Sequence, residues 1–80
     1  MAMFNGLYLE DDQMEYIESQ LKHIKNLTGN PKAFEYIEGR VMFNGFYYDS
    51  VNCYSRLEDI IDAYVFGLEY GMEMAKEEQS

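Results

Sequence analysis

"RVMFNGFYYDS", residues 40–50, is the stretch whose reading decides the fold. Asn44-Gly45 between apolar residues is a strong hairpin signal, because a type I′ turn needs positive φ at both central positions. The same pair also ends helices, with Gly45 in the left-handed position after the last turn and Phe46 making the accompanying apolar contact. The preceding stretch, "NPKAFEYIEG" at residues 30–39, tilts the reading toward the helix end. Asn30 offers an N-cap, Pro31 suits the first helical position, and Phe34, Ile37 and Val41 continue a helical face. Only Gly39 opposes a helix there, by ~1 kcal/mol relative to Ala. An isolated two-stranded hairpin is also marginal in water. The stretch therefore reads as the end of a second helix, followed by an aromatic-rich connection near residues 45–51.

The tetrapeptide at its centre is not unique. "MFNGLYLE" at Met3–Glu10 and "MFNGFYYD" at Met42–Asp49 share five of eight positions. In both, Asn-Gly turns the chain, Leu7-Tyr8-Leu9 or Phe46-Tyr47-Tyr48 anchors it by burial, and an acid leads toward an amphipathic helix. Two copies are too few for a solenoid, which needs at least three. The pair reads as a repeated structural device. A hairpin at the second copy would make the first copy a candidate to pair with it.

Helices flank the ambiguous stretch. Residues 11–28 place Met14, Ile17, Leu21 and Ile24 on one face, with Asp11 or Asp12 as N-cap, Lys22 and Lys25 near the C-terminal end where the helix dipole favours positive charge, and Gly29 as the left-handed stop. From Asn52 or Ser55 to Glu78 a helical pattern runs without interruption. Leu57, Ile61, Leu68, Met72 and Ala75 form its apolar arc. The expected fold is mainly α: one compact three-helix domain spanning residues 1–80. The alternative is α+β, with a β-hairpin at Asn44-Gly45 packed between the first and last helices.

Composition narrows the function. A chain of 80 residues buries only a little more than ~60% of its unfolded surface, so a partner or a staple is expected. Cys53 is the only cysteine, which excludes an internal disulfide and fits a reducing, cytoplasmic setting. No secretory leader and no run of ~18 apolar residues is seen, so no membrane span is expected. The net charge is −9. Residues 1–18 carry five acids and no base, residues 19–48 four bases against two acids, and residues 49–80 eight acids against two bases. Such a surface repels phosphate backbones, which argues against direct binding of nucleic acid, and it steers basic proteins inward.

Two features of the last helix carry the functional expectation. Ala63, Gly67, Gly71 and Ala75 recur every fourth residue and form a shallow groove for a close-packed helix. Glu58, Asp62, Glu69 and Glu73 form an acidic ridge, with Phe66 and Tyr70 beside it as aromatic anchors that point away from the main apolar face, where a monomer leaves them exposed. Carboxylates and rings together can meet Arg and Lys of a basic groove by ion pairing and cation–π contact. The leading expectation is a non-catalytic inhibitor that occupies the basic groove of a nucleic-acid-binding protein. Its style is that of phage and mobile-element accessory proteins. The alternative is a homodimer or other homo-oligomeric adaptor packed through the small-residue stripe. Catalysis is not expected, because His23 and Cys53 are single and no spacing joins them to a third group. No metal or cofactor is expected either. Glu58 and Asp62 lack a calcium-loop pattern, and "FNG" lacks the lysine of a phosphate cradle.

Overall fold

The computed structural model describes the backbone of residues 2–79 and the side chains of residues 3–71. Seven elements follow in order: β1 (Ala2–Phe4), β2 (Leu7–Leu9), α1 (Asp11–Thr28), β3 (Glu35–Ile37), β4 (Arg40–Phe43), β5 (Phe46–Ser50) and α2 (Tyr54–Gln79). The strands form two antiparallel sheets, β1–β2 and β3–β4–β5. The fold is therefore α+β with two helices, and the three-helix expectation is wrong.

The error lies in residues 30–50, and Asn30 explains it. Asn30 caps no helix. Its Oδ1 accepts from Lys32 N at 2.9 Å, and its carbonyl accepts from Ala33 N at 3.2 Å, so its capping chemistry closes a turn. Pro31 presets φ for a turn as readily as for a helix start. Glu38 and Gly39 then take φ of 49° and 79° between the paired residues Ile37 and Arg40. Gly39, read as a weak point in a helix, is the second residue of a hairpin turn. Asn44 and Gly45 repeat the geometry at 54° and 84° between Phe43 and Phe46. The aromatic connection expected at residues 45–51 is largely strand β5. Sharing β4 between two hairpins removes the instability of a lone pair of strands.

The first "MFNG" copy makes its own hairpin, with Asn5 and Gly6 at φ of 47° and 95° between Phe4 and Leu7. The copies do not pair in one sheet, but the first hairpin's turn docks on the β3–β4 turn. Asn5 Nδ2 donates to the Tyr36 carbonyl, and Gly39 N donates to the Asn5 carbonyl at 3.1 Å. Val51 N donates to the Gly39 carbonyl at 2.7 Å, which ties the end of β5 to the same point. Each copy thus opens a hairpin-plus-helix unit: β1–β2–α1 and β4–β5–α2.

Helix α1 has the expected span. Its N-cap is Glu10 rather than Asp11 or Asp12, in a capping box closed by Glu10 N donating to Gln13 Oε1 at 2.9 Å. Gly29 ends it at φ 68°, its N–H donating to the Lys25 carbonyl at 2.8 Å. The core gathers Leu7 and Leu9 from the first hairpin, Ile17 and Ile24 from α1, Tyr36, Val41 and Val51 from the sheet region, and Leu57, Ile61 and Val65 from α2. Each such side chain contributes ~1.5–3 kcal/mol on burial. Tyr36, the one buried phenol, donates its hydroxyl to the Val51 carbonyl.

Candidate interaction surface

Helix α2 presents two unlike faces. Leu57, Ile61 and Val65 turn inward and are buried, with Leu68 half-buried beyond them. The inward face is bordered by carboxylates that hold α1. Asp62 Oδ1 accepts from the Tyr16 hydroxyl and from Gln20 Nε2, the latter at 3.1 Å. Glu69 Oε1 lies 2.8 Å from His23 Nε2. The bond to Asp62, helped by partial burial, pushes the Tyr16 hydroxyl up to about 12. Burial first, and then the Glu58 carboxylate, raises Tyr54 as well. Three of the four acids of the sequence-derived ridge, Glu58, Asp62 and Glu69, thus interact with the protein's own side chains. The fourth, Glu73, lies outside the described side chains, as does Ala75 of the stripe.

The outward face is apolar and uncovered. Phe66 is 69% exposed and Tyr70 55%. Their rings stack at 6.1 Å with 11° between planes. Ala63, Gly67 and Gly71 are exposed alongside them. A methyl group built on Gly67 or Gly71 meets nothing within 4 Å. Helical glycine costs ~1 kcal/mol relative to Ala, and among the described residues no close packing offsets that cost. The structure brings Ala63, Phe66, Gly67, Tyr70 and Gly71 together on one face. Asp62 and Glu69 border that face on one flank, where both are engaged with α1.

This face continues into a groove of about 350 Å³ between α2 and β5. Phe43, Tyr64, Ile60 and Ala63 line it, with Tyr48 as the outer wall. Phe43 packs 4.7 Å from Tyr48 and 5.1 Å from Tyr64, ring centre to ring centre. Arg56 closes one end and is held by Asp49 at 2.8 Å. That guanidinium keeps the Asp49 carboxyl below its ordinary range. Phe46 and Tyr47, next along β5, are 77% and 59% exposed. Sequence reasoning missed these rings as surface, because their large apolar bodies marked them as buried anchors.

His23 and Cys53 do not meet. His23 is engaged with Glu69, and Cys53 is an exposed thiol just before α2. Among the described residues no three His, Cys, Asp or Glu side chains converge to hold a metal ion, and no helix is long and apolar enough to cross a membrane. No protein-family model, curated protein or solved structure matches this chain.

Proposed function

We propose that this protein is a small, non-catalytic protein-binding module that docks through the outward face of α2. One observation carries this reading: two helical glycines face open space beside two stacked, exposed aromatic rings. Exposed contiguous apolar surface of this kind marks an interaction site. The partner it fits best is a second copy. A two-fold interface must be self-complementary, and this face alternates knobs (Phe66, Tyr70) with holes (Ala63, Gly67, Gly71). From Ala63 to Gly71 it carries no charge but the flanking Glu69, and the adjoining groove is lined by one acid, Asp59, and one base, Arg56, so pairing would not oppose the acidic seams directly. A covered aromatic buries ~150–250 Å², and a stable interface ~800 Å² per partner. Phe66 and Tyr70 alone fall short, so the Tyr48 groove and Phe46 belong to the same contact. Sedimentation equilibrium at micromolar concentration tests this. A dimer is expected, weakened at least tenfold by Phe66→Ala with Tyr70→Ala. A strict monomer across the soluble range sinks the reading.

A basic protein is the second reading, favoured by the net charge of −9. It would meet Phe66 and Tyr70 together with Asp59. Binding to such a target should weaken with salt, and indifference to salt would refute it. Occupation of a nucleic-acid-binding groove belongs to this reading. The intramolecular contacts of Asp62 and Glu69 leave fewer free carboxylates for it than the sequence alone implied.

A further inference from the structure

A second, larger cleft of about 620 Å³ has no lining residue from α2. It opens between the last turns of α1, the tip of the first hairpin, Pro31 and β3. Its floor is apolar. Phe4 stacks on Tyr36 with ring centres 6.0 Å apart and 5° between planes, and Leu21 and Phe34 extend that floor. Its rim carries Lys22 and Lys25, both exposed and neither in an ion pair among the described residues. The chain has six bases against fifteen acids, so two free ammonium groups at one apolar cleft are a concentration of positive charge against the protein's overall field.

We infer that this cleft binds a small organic carboxylate with an aromatic or branched aliphatic body. The ammonium groups of Lys22 and Lys25 take the carboxylate, and the Phe4–Tyr36 floor takes the body. Charge complementarity selects an anion. The cleft volume falls in the ~300–1,000 Å³ range of small-molecule pockets. Glu35 in the lining offsets one of the two lysines, which limits the site to a singly charged anion, and the acidic surface beyond disfavours a polyanion further. The site owes nothing to the outward face of α2.

2-Naphthoate is the probe, with 2-naphthamide as its uncharged counterpart, each titrated into the full chain and followed by amide chemical shifts. Naphthoate should move the signals of Phe4, Leu21 to Lys25 and Glu35 to Ile37, with sub-millimolar affinity. Naphthamide should bind about tenfold more weakly. Lys22→Glu with Lys25→Glu should abolish naphthoate binding. Lys22→Ala with Lys25→Ala is the second variant should the reversal disturb folding, and it should weaken binding about tenfold. Phe66→Ala with Tyr70→Ala should leave naphthoate affinity unchanged. Equal affinity for naphthoate and naphthamide, shifts clustered at Gly67 and Tyr70, or no shift up to the solubility limit would each overturn the inference.

Discussion

Gly67→Ala separates what the residue does in the folded chain from what it does between chains. The position is helical, and a methyl placed there meets no heavy atom within 4 Å. The substitution therefore removes a helix penalty and introduces no clash. The gain is ~0.5–1 kcal/mol, from the backbone entropy that glycine loses in a helix interior. For a chain of this size ~1 kcal/mol moves Tm by roughly 4–8 °C, so a rise of ~2–8 °C is expected. Thermal unfolding followed by far-UV circular dichroism, at a concentration below association, measures it. In the proposed dimer the sign reverses. A methyl wedged into a close helix crossing overpacks it by ~1–3 kcal/mol, which is roughly a 5- to 150-fold loss of affinity. Gly67→Leu exaggerates both sides: the monomer stays folded and the dimer is lost. A fall in the monomer's Tm on Gly67→Ala would mean that something does lie against the glycine. Dimerisation untouched by Gly67→Leu would mean that the stripe is not the contact.

Asn5→Ala should destabilise the fold by ~1–2 kcal/mol, since it deletes the bond to the Tyr36 carbonyl and puts Ala at φ 47°, a region that disfavours L side chains; urea unfolding reads it, and an unchanged midpoint refutes the docking role of the first turn. Gly39→Ala, at φ 79°, should cost ~1–2 kcal/mol by the same steric rule, whereas a helical Gly39 would have gained stability. Raising pH gives a third test: the Tyr16 hydroxyl sits near 12 in the folded chain against 10.0 for an ordinary tyrosine. Its stabilising contribution is therefore complete below pH 10 and fades as pH rises from there through about 12. Asp62→Asn should bring Tyr16 back toward its ordinary value in an absorbance titration of the phenols, and an unchanged Tyr16 titration refutes the assigned cause. Leu9→Ala, at a position 1% exposed, should cost ~2–5 kcal/mol and leave much of the chain unfolded on thermal melting.

Both helices were legible in the sequence because each is long enough for its apolar spacing to outweigh local noise. The Met14-Ile17-Leu21-Ile24 face and the Gly29 stop specify α1, and only its first cap was misplaced, by one or two residues. The strands were not legible, and length is again the reason. Each has three to five residues, too few for a period of two to stand out. The decisive signals were turns, and turn chemistry is shared with helix ends. Asn44-Gly45 served both readings, Asn30-Pro31 was read only as a helix start and Gly39 only as a weak point in a helix, and no residue within the segment breaks the tie. What breaks it is tertiary: Tyr36 and Val41, cross-strand partners, are both buried. The outward placement of Phe66 and Tyr70 followed from the helical wheel alone. The Lys22–Lys25 cleft could not, because its floor comes from β1 and β3, which were unseen, and the lysines read simply as complements to the helix dipole.

The two "MFNG" units show where the chain's surface chemistry comes from. In the first, Leu7 and Leu9 are buried, and both strands of the hairpin contact α1. In the second, the matching residues Phe46 and Tyr48 are 77% and 53% exposed. Residue size does not account for this, since larger apolar side chains gain more from burial. Register does account for Tyr48. The β4–β5 ladder is irregular between Val41 and Met42, so Asp49 rather than Tyr48 stands opposite Val41. A bulge of this kind re-aims side chains. Arg56, on the first turns of α2, then holds Asp49. Tyr48 is left over the groove rather than in the core, and Phe46 stands at the hairpin's exposed tip. Outer β5 and outer α2 thus both carry core-type residues facing outward, on β5 through the shifted register and on α2 through helical spacing. In a chain with so small a core, that arrangement supports the proposed docking role of this surface.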